Sequence, residues 1–353
     1  MTSRERFARM YAHREADRIP VFDSPWGSTL DRWRREGMPA HADWIDYFGL
    51  DHVALVWADN SPRYPHRVLE ETDAYVVSTS DWGVTSRQWK GRASVPEFLA
   101  FTITGPDAWR ETKTRLIPAA DRIDWTRLKR EYPIWRARGD WNEAQFWFGF
   151  DVTHSWMVGT ERVLEAIAED PGWLREMFDA QLDLDLALFQ AVLDAGYELD
   201  AISWPDDMGY KHHQFFSVAT YRALLKPVHR RAVEWAHARG LKVRLHSCGD
   251  VNPFVPELLE IGVDALNPLE VKAGMDPGAL KARWGDRLVL HGGINAVHWD
   301  HPAAIEAEIR RTLPALKAGG GYIFASDHSI PDSVGLEDFR RIIALVKELG
   351  RFG

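Results

Sequence analysis

The segment from Leu241 to Asn267 reads LKVRLHSCGDVNPFVPELLEIGVDALN and contains a strand–helix–strand pattern. It also holds the only cysteine of the chain, Cys248, two residues after His246. Side chains alternate between the two faces of an extended strand, so residues at i and i+2 point the same way. His246 and Cys248 therefore form a candidate two-ligand corner of a metal site. A buried core histidine beside a small apolar cysteine would give the same pattern, so further ligands must come from elsewhere in the chain.

The alternation of strands and helices continues on both sides of this segment. The β-like runs are Gln145–Phe150, Asp200–Trp204, Val243–His246, Val263–Asn267, Leu288–His291 and Tyr322–Ala325. The helical segments among them are Glu161–Ala168, Pro171–Ala195, Tyr221–Arg239, Asn252–Ile261, Pro277–Arg283 and Pro302–Ala318. Two earlier runs, Ile19–Phe22 and His52–Trp57, bring the predicted strands to eight. This count predicts an α/β fold of the (β/α)8 TIM-barrel type. An open dinucleotide-binding sheet is less well supported, because no Gly-x-Gly-x-x-Gly motif follows an early strand.

The pattern changes between the second and third predicted strands. Ala74–Thr79 and Gly83–Trp89 are short β-like segments on either side of a turn, which predicts a hairpin. Residues 95–140 are polar and rich in helix-forming stretches. We therefore predict one barrel domain over residues 1–353, elaborated near its N-terminus by a hairpin and helices inserted at roughly 60–140.

The composition is that of a globular chain with an acidic balance. Of the 353 residues, 45% are hydrophobic and 27% charged, and the formal net charge is -9. An acidic protein is a poor match for nucleic acid or an anionic membrane surface. The N-terminal residues carry charges throughout, and no apolar run reaches membrane-spanning length. We expect a cytoplasmic protein with no nucleic-acid or membrane partner, and its single cysteine excludes an internal disulfide.

Tryptophan is unusually frequent, with 17 residues in the chain. Most of them lie before residue 160, at positions 26, 33, 44, 57, 82, 89, 109, 125, 135, 141, 147 and 156. Large aromatic side chains fill cores and oligomer interfaces, and this explains most of them. We expect some of the others to line an aromatic-walled ligand pocket.

Polar residues collect where the predicted strands end, which is where barrel enzymes place their active sites. His246, Cys248 and His328 are expected on one rim with Glu270 as a neighbour. They form a candidate zinc site that leaves one position for substrate or water. A loop histidine would explain His328 equally simply.

Two further sets of residues are predicted from the same strand ends. Asp206 and Asp207 are paired carboxylates beside an apolar strand, a setting that separates pKa values for acid–base work, although one of them could cap the element that follows. The predicted catalytic residues are Asp206, Asp207 and Glu270. The predicted substrate-binding residues are Asp23, Trp26, Trp204, Tyr210, Asn295 and Asp327.

Three segments resemble the uroporphyrinogen decarboxylase superfamily, which includes the cobamide-dependent methyltransferases. They are ISWPDDMGYK, the long segment from LKVRLHSCGD to VLHGGIN, and GGGYIFASDHSIP. The resemblance covers most of residues 140–350 and implies a single TIM-like barrel, and the frequent dimers of the decarboxylases predict a homodimer. The decarboxylases carry an Arg-Gln-Ala-Gly-Arg run after the first strand, where this chain has Asp23-Ser24-Pro25-Trp26-Gly27. Without those cations an acidic protein has little affinity for a polyacidic tetrapyrrole.

The methyltransferase branch is similar in using His-x-Cys and a later cysteine as zinc ligands. Here the later position corresponds to His328, so the ligand set would leave zinc a formal charge of +1 instead of zero. A more positive zinc ion suits a neutral oxygen or nitrogen leaving group. The resemblance thus predicts a zinc-dependent enzyme that demethylates a methoxylated compound, aromatic or not, or a methylated amine. A corrinoid on a separate small protein would accept the methyl group, and Asp207 would protonate the leaving group.

Two other functions remain compatible with the sequence. The first is a metal-independent decarboxylase or lyase on a small or cyclic carboxylic acid, with Asp23, Asp206 or Asp207 as the acid. The second is a catalytically silent barrel that binds a ligand or partner.

Overall fold

The computed structural model describes residues 1–91 and 95–353. The strands of the described ranges, in chain order, are β1 (Val53–Val56), β2 (Arg67–Glu71), β3 (Tyr75–Thr79), β4 (Val84–Trp89), β5 (Glu97–Phe101), β6 (Trp141–Gln145), β7 (Ala201–Pro205), β8 (Gly209–Tyr210), β9 (His213–Gln214), β10 (Lys242–His246), β11 (Ala265–Asn267), β12 (Val289–His291) and β13 (Tyr322–Ile323).

The helices begin with α1 (Ser3–Tyr11), α2 (Gly27–Arg35), α3 (Trp44–Phe48), α4 (Pro106–Lys113), α5 (Trp125–Arg138), α6 (Thr160–Glu169) and α7 (Pro171–Asp194). They continue with α8 (Val218–Leu224), α9 (Lys226–His237), α10 (Val255–Ile261), α11 (Pro277–Trp284), α12 (Pro302–Lys317) and α13 (Leu336–Leu349), and a π-helical segment spans Val152–Val158. No helix within the described ranges has both the length and the apolar character to cross a membrane.

The main sheet is parallel, seven-stranded and ordered β1-β6-β7-β10-β11-β12-β13. This α/β architecture is compatible with a TIM-like barrel, but one of the eight predicted strands, the segment nearest the N-terminus, does not form a regular strand. Ile19–Phe22 instead makes one parallel bridge, between Val21 and Phe324. The Phe22 amide donates to the Phe324 carbonyl at 3.0 Å, so this segment lies beside the last strand.

Alternation along the strands separates a polar inner face from an apolar outer one. Gln145, Ser203 and Arg244 are register partners in β6, β7 and β10 and share the inner face. The Ser203 hydroxyl donates to Gln145 Oε1 at 3.1 Å, and Arg244 forms a buried ion pair with Glu143. Their neighbours in sequence, such as Ile202 and Val243, are fully buried on the opposite face, where the helices pack. His246 lies two residues after Arg244 in β10, so its side chain is on the same face and also points inward at the end of the strand.

Helix α1 closes the amino-terminal end of the sheet. Phe7, Met10 and Tyr11 pack in one cluster with the first residues of four strands. These strand residues are Trp141, Ala201, Ala265 and Val289. The rings of Tyr11 and Trp141 stack with centroids 5.2 Å apart. Since this end is filled by side chains, a ligand site is left to the carboxyl-terminal end.

The predicted hairpin is present as β3 and β4, which pair antiparallel. β2 and β5 extend it to a four-stranded antiparallel sheet of order β2-β3-β4-β5. The strand β5 lies in a region predicted to be rich in helix. Its residues are mostly exposed and show no alternation of apolar and polar positions, which is the pattern that would have indicated a strand.

Two predicted boundaries were wrong. The strand predicted at Gln145–Phe150 is β6 at Trp141–Gln145, because buried polar residues Asn142 and Glu143 hide the strand while Phe146, Phe148 and Phe150 pack in the core beyond it. The long helix predicted at Tyr221–Arg239 is divided into α8 and α9. Pro227 lies in the first turn of α9, where the missing amide hydrogen costs no helical hydrogen bond.

Candidate active-site pocket and metal centre

A cavity of about 440 Å³ lies at the carboxyl ends of the strands. Its walls come from segments that are distant in sequence and meet only at this end of the sheet. The lining side chains are Phe22, Asp23, Ser24, Trp26, Asp207, Arg244, His246, Cys248, Asn267, Pro268, His291, Ala325, Ser326, His328 and Ser329. Of the predicted site residues, Asp23, Trp26, Asp207, His246, Cys248 and His328 are therefore brought together.

Asp207, His246 and Cys248 form a triad of metal-binding groups within this cavity. One ligand atom from each lies within 4.8 Å of the others. Cys248 Sγ is 3.4 Å from His246 Nε2, and His246 Nε2 is 3.7 Å from Asp207 Oδ1. Ligands of a tetrahedral zinc ion lie roughly 3.3–3.8 Å apart, as follows from bonds of about 2.1 Å to nitrogen and about 2.3 Å to sulfur. The donor set thus fits a zinc ion.

Neighbouring groups orient two members of the triad. His246 Nδ1 lies 2.7 Å from Asn267 Oδ1, which accepts a hydrogen bond only if Nδ1 carries the proton. That tautomer leaves Nε2 free to bind a metal ion. The backbone amide of Cys248 donates to Asp207 Oδ1 at 2.7 Å. The loop after β7 and the loop after β10 are therefore joined at the triad itself.

The same two loops are in backbone contact at Gly249. Gly249 has φ +80°, and a Cβ atom built there would lie 2.2 Å from the carbonyl carbon of Gly209. No side chain larger than hydrogen fits this position. Glu270 accepts a hydrogen bond from the Gly249 amide at 2.6 Å, so it supports the Cys248 loop and is not one of the triad.

Burial raises the pKa values of two groups in the cavity lining, the Cys248 thiol and the Asp23 carboxyl. The pKa of the Cys248 thiol lies well above its ordinary range, and the carboxylates of Asp207, Glu270 and Asp151 add to the rise. Burial also raises the pKa of Asp23 to about 6, although the carboxylate accepts hydrogen bonds from the amide and hydroxyl of Ser326. Asp23 is therefore a carboxyl group that changes its charge near neutral pH in the wall of the cavity.

His328 lines the cavity but does not belong to the triad formed by the described residues. Its ring lies beside Trp26, with centroids 5.8 Å apart. Burial lowers the pKa of His328, and the ammonium group of Lys272 lowers it further. The third group next to His246 and Cys248 is Asp207, which was predicted to be an acid catalyst.

Two predicted residues lie outside the lining of the 440 Å³ cavity. Trp204, a predicted substrate-binding residue, is fully buried and packs against Phe148 and His229, because it has the outward parity of β7. Asp206, a predicted catalyst, is also fully buried; its Oδ2 lies 2.7 Å from His229 Nε2, and its Oδ1 accepts from the Asp151 amide at 2.8 Å. Neither side chain is placed to touch a ligand in the 440 Å³ cavity.

Three other predicted substrate-binding residues also lie outside the cavity lining. Asp327 is fully buried and accepts hydrogen bonds from the amides of Val271 and Ala296, so it holds two loops together. Asn295 caps the short helical turn that follows it by accepting from Val297 N. Tyr210 is 46% exposed on the small β8–β9 ribbon.

Arg244 is a residue of the cavity lining that was not among the predicted site residues. Asp151 does not line the cavity, but its charge acts on the Cys248 thiol, and burial with the neighbouring charges of Asp207 and Asp206 raises the pKa of Asp151 to about 8. Arg244 lines the cavity and is held by its buried ion pair with Glu143. Arg244 could have been found from the sequence, because it precedes His246 by two residues and so shares its face.

A second cavity, of about 730 Å³, contains the tryptophan residues expected at a pocket. Five of them line it: Trp57, Trp82, Trp125, Trp147 and Trp156. We call this second cavity the tryptophan chamber and the cavity around Asp207, His246 and Cys248 the triad cavity. A smaller cavity of about 230 Å³ shares Trp57 and Trp147 with the tryptophan chamber and shares Arg244 and His246 with the triad cavity. The smaller cavity thus shares walls with both the tryptophan chamber and the triad cavity.

A parallel α/β sheet with a polar pocket at the carboxyl ends of its strands is the arrangement found in barrel enzymes. Comparison with known proteins gives the family. Residues 152–349 match the family model described as uroporphyrinogen decarboxylase (URO-D), which is more than half of the chain, and the protein belongs to this family.

Curated relatives support the assignment, and a solved structure has the same fold. The uroporphyrinogen decarboxylase of Saccharophagus degradans is 26% identical over 186 residues, which are 52% of this chain and 50% of that protein. The one of Pseudomonas aeruginosa is 30% identical over 133 residues, 37% of this chain and 35% of the relative. The chain thus spans half or less of the length of these curated relatives. A methyltransferase from Methanosarcina mazei has the same fold, with a TM-score of 0.67 and 17% identity over 99% of both chains.

Proposed function

We propose that this protein is a zinc-dependent methyltransferase. It would move a methyl group from a methoxylated compound or a methylated amine to a corrinoid carried by a separate protein. The observation that carries the proposal is the triad of Asp207, His246 and Cys248 beside a cavity at the carboxyl ends of the strands. Catalytic zinc sites typically have three protein ligands and one position for substrate or water.

The triad changes the charge argument made from the sequence. In a set of His246, Cys248 and His328 the only anionic ligand is the Cys248 thiolate. With Asp207 in place of His328 the carboxylate is a second anionic ligand. The formal charge of a zinc site therefore falls from +1 to zero. The charge alone then no longer favours oxygen or nitrogen leaving groups over sulfur. The substrate class must be chosen by the walls of the cavities instead.

Zinc, when bound, would supply Lewis acidity towards the atom that loses the methyl group. The residues of the chain have three tasks in this proposal. Asn267 fixes the His246 ring so that Nε2 faces the cavity. Asp207 and Cys248 contribute the two anionic donors. Asp23, which lines the same cavity and has a pKa of about 6, would donate a proton to the leaving group in place of Asp207.

The likeness to the Methanosarcina mazei methyltransferase supports the proposal at the level of the fold, because it extends over nearly the whole chain. The curated relatives, by contrast, are named uroporphyrinogen decarboxylases. A metal-independent decarboxylase is therefore the second candidate, and the buried Asp23 carboxyl is the observation that favours it. Arg244 is the one arginine or lysine among the described residues that line the cavity, and it is already paired with Glu143, so such an enzyme would act on a small acid and not on a tetrapyrrole polyacid.

The deciding experiment measures zinc and methyl transfer in the same preparation. Protein purified without chelators is expected to contain about one zinc per chain, and Cys248→Ser to contain little. The zinc-loaded protein should methylate reduced cobalamin from an O-methyl or N-methyl donor, which absorbance spectroscopy detects. A wild-type protein that contains no zinc and binds none when it is added would contradict the proposal. Release of carbon dioxide by that metal-free protein would establish the decarboxylase.

A further inference from the structure

The tryptophan chamber is built around Trp147. The Trp147 ring centroid lies 6.2 Å from that of Trp57, 6.4 Å from that of Trp82 and 6.1 Å from that of Trp156. These four rings come from separate parts of the chain: the end of β1, the turn before β4, the segment after β6 and the π-helical segment. The rings are tilted against one another by 36° to 86°, so they present several faces to one volume instead of forming a stack.

The charges of the chamber are mainly negative. Four carboxylates line it, from Asp59, Asp81, Asp121 and Asp124. No hydrogen bond to the Asp81 side chain is formed by the part of the chain that the structure describes. Asp59 and Asp121 pair with Arg63, and Asp124 caps α5.

Among the described residues that line the chamber, Arg122 is the one cation, and four of its five N–H groups already donate hydrogen bonds. Its side chain is 2% exposed. It donates to the backbone carbonyls of Ile117, Asp59, Ser61 and Arg115. Counted over the described residues, four carboxylates against Arg122 and Arg63 give the chamber a formal surplus of two negative charges.

We infer that the tryptophan chamber binds an organic cation that carries a methylated ammonium group. Indole rings have the strongest attraction for cations among the aromatic side chains, and cages of such rings recognise quaternary ammonium groups. The cavity volume of about 730 Å³ is within the usual range for small-molecule sites. A neutral aromatic ligand would gain nothing from the four carboxylates.

A methylated ammonium group fits these walls better than a primary one. A primary ammonium carries three N–H donors that need acceptors, and indole faces provide none. N-methyl groups replace those donors with apolar surface, which packs against the rings while the charge is kept. The carboxylates then act at longer range, from the rim.

The position of the chamber gives this ligand a role in the proposed reaction. The 230 Å³ cavity shares Trp57 with the chamber and His246 with the triad, so a ligand in the chamber would lie close to the metal-binding groups. The role of a methylated ammonium compound as the methyl donor rests on the proposed function. Its binding to the chamber does not depend on that proposal.

Calorimetry with matched ligands tests the inference on the full-length protein. The probes are the cations tetramethylammonium and choline, and the control is 3,3-dimethylbutan-1-ol, an uncharged isostere of choline. We expect saturable binding of at least one of the two cations and choline binding about 5- to 30-fold tighter than that of the isostere. Equal affinity for choline and the isostere, or no saturable binding of either cation, would overturn the inference.

Variants locate the site. Trp57→Leu and Asp81→Asn should each weaken binding of the preferred cation, whereas Trp57→Phe should keep part of the affinity. Trp57 is 42% exposed, so its replacement leaves the core intact. Trp89→Leu is the control, because Trp89 is 37% exposed on β4 and does not line the chamber. An equal loss in Trp89→Leu would contradict the assignment.

One further variant separates this inference from the proposed function. Cys248→Ser is expected to lose zinc and keep the affinity for the cation. A wild-type protein that holds zinc and transfers methyl groups but binds no ammonium probe would refute only the chamber. A protein that binds the cation but neither holds zinc nor transfers methyl groups would refute only the methyltransferase.

Discussion

His246 Nδ1 and Asn267 Oδ1 lie 2.7 Å apart, and these two residues are register partners in the neighbouring strands β10 and β11. The sheet register therefore determines the direction of the ring nitrogen that faces the cavity. Hydrogen-bond partners of metal-binding histidines commonly contribute a factor of 10 to 100 in metal affinity.

Asn267→Ala should therefore weaken zinc binding by about 10- to 100-fold without removing a ligand. Asn267→Asp keeps an oxygen acceptor and should retain most of the affinity. Competition with a chromogenic chelator measures both, and Asn295→Ala serves as a control outside the cavity. Unchanged zinc affinity in Asn267→Ala would show that the ring needs no such support.

Replacement of Asp207 and of His328 distinguishes the triad seen in the structure from the ligand set predicted from the sequence. Asp207→Ala should lower the zinc content strongly, because one of the three clustered donors is lost. His328→Ala should keep about one zinc per chain. Metal analysis of the two purified variants checks this, and the opposite result would restore His328 as the ligand.

Asp206 and Asp207 are adjacent in sequence but should have different effects on stability. Asp206→Ala removes the acceptor for the buried His229 ring and for the Asp151 amide, so we expect a loss of about 3 kcal/mol in the free energy of unfolding. Asp207→Ala affects a side chain that is 32% exposed and should cost less than about 1 kcal/mol. Urea denaturation of both variants measures the difference. Equal losses would mean that Asp206 is not the structural member of the pair.

Asp23 should make stability depend on pH. Burial raises its pKa from 3.8 to about 6 in the folded protein, so between these values the folded state binds more protons than the unfolded state. The contribution of Asp23 to stability is therefore complete below about pH 4 and is lost as the pH rises through about 6.

The comparison with Asp23→Asn, which carries no titrating group, isolates this effect. The free energy of unfolding of the wild type relative to this variant should fall between pH 4 and pH 7. Ser326→Ala removes a hydroxyl that stabilises the Asp23 carboxylate and should move the midpoint to higher pH. A difference that does not change over this range would show that Asp23 stays ionised.

The regular half of the fold was predictable because its pattern is local. The strands from β7 to β13 of the main sheet and the helices α6, α7, α11 and α12 were predicted within a few residues, since apolar runs alternate there with amphipathic helices. β6 was misplaced because the inner face of the main sheet is polar, and buried Asn142, Glu143 and Gln145 look like loop residues in a hydropathy pattern. Ile19–Phe22 was predicted as a strand, but the pairing of a single segment with the last strand depends on contacts some 300 residues away.

The site was predicted in part for a similar reason. Parity along β10 placed His246 and Cys248 together, and the carboxyl ends of the strands indicated the rest of the cavity. Sequence order could not show which of two adjacent aspartates faces the cavity, because Asp206 and Asp207 lie in a loop whose direction is set by tertiary contacts. It also could not show that Trp204 points outward while the more distant Trp57 and Trp147 meet beside the triad.

The backbone contact between Gly249 and Gly209 has a consequence for how the centre works. The loop that carries Asp207 and the loop that carries Cys248 touch without side chains between them, and the Cys248 amide and the Asp207 carboxylate join them again. The two loops can therefore move only together, so the metal-binding groups are already assembled before any ligand arrives. In the proposed reaction a substrate would meet a fixed set of donors, and its selection would fall to the side chains that line the neighbouring cavities.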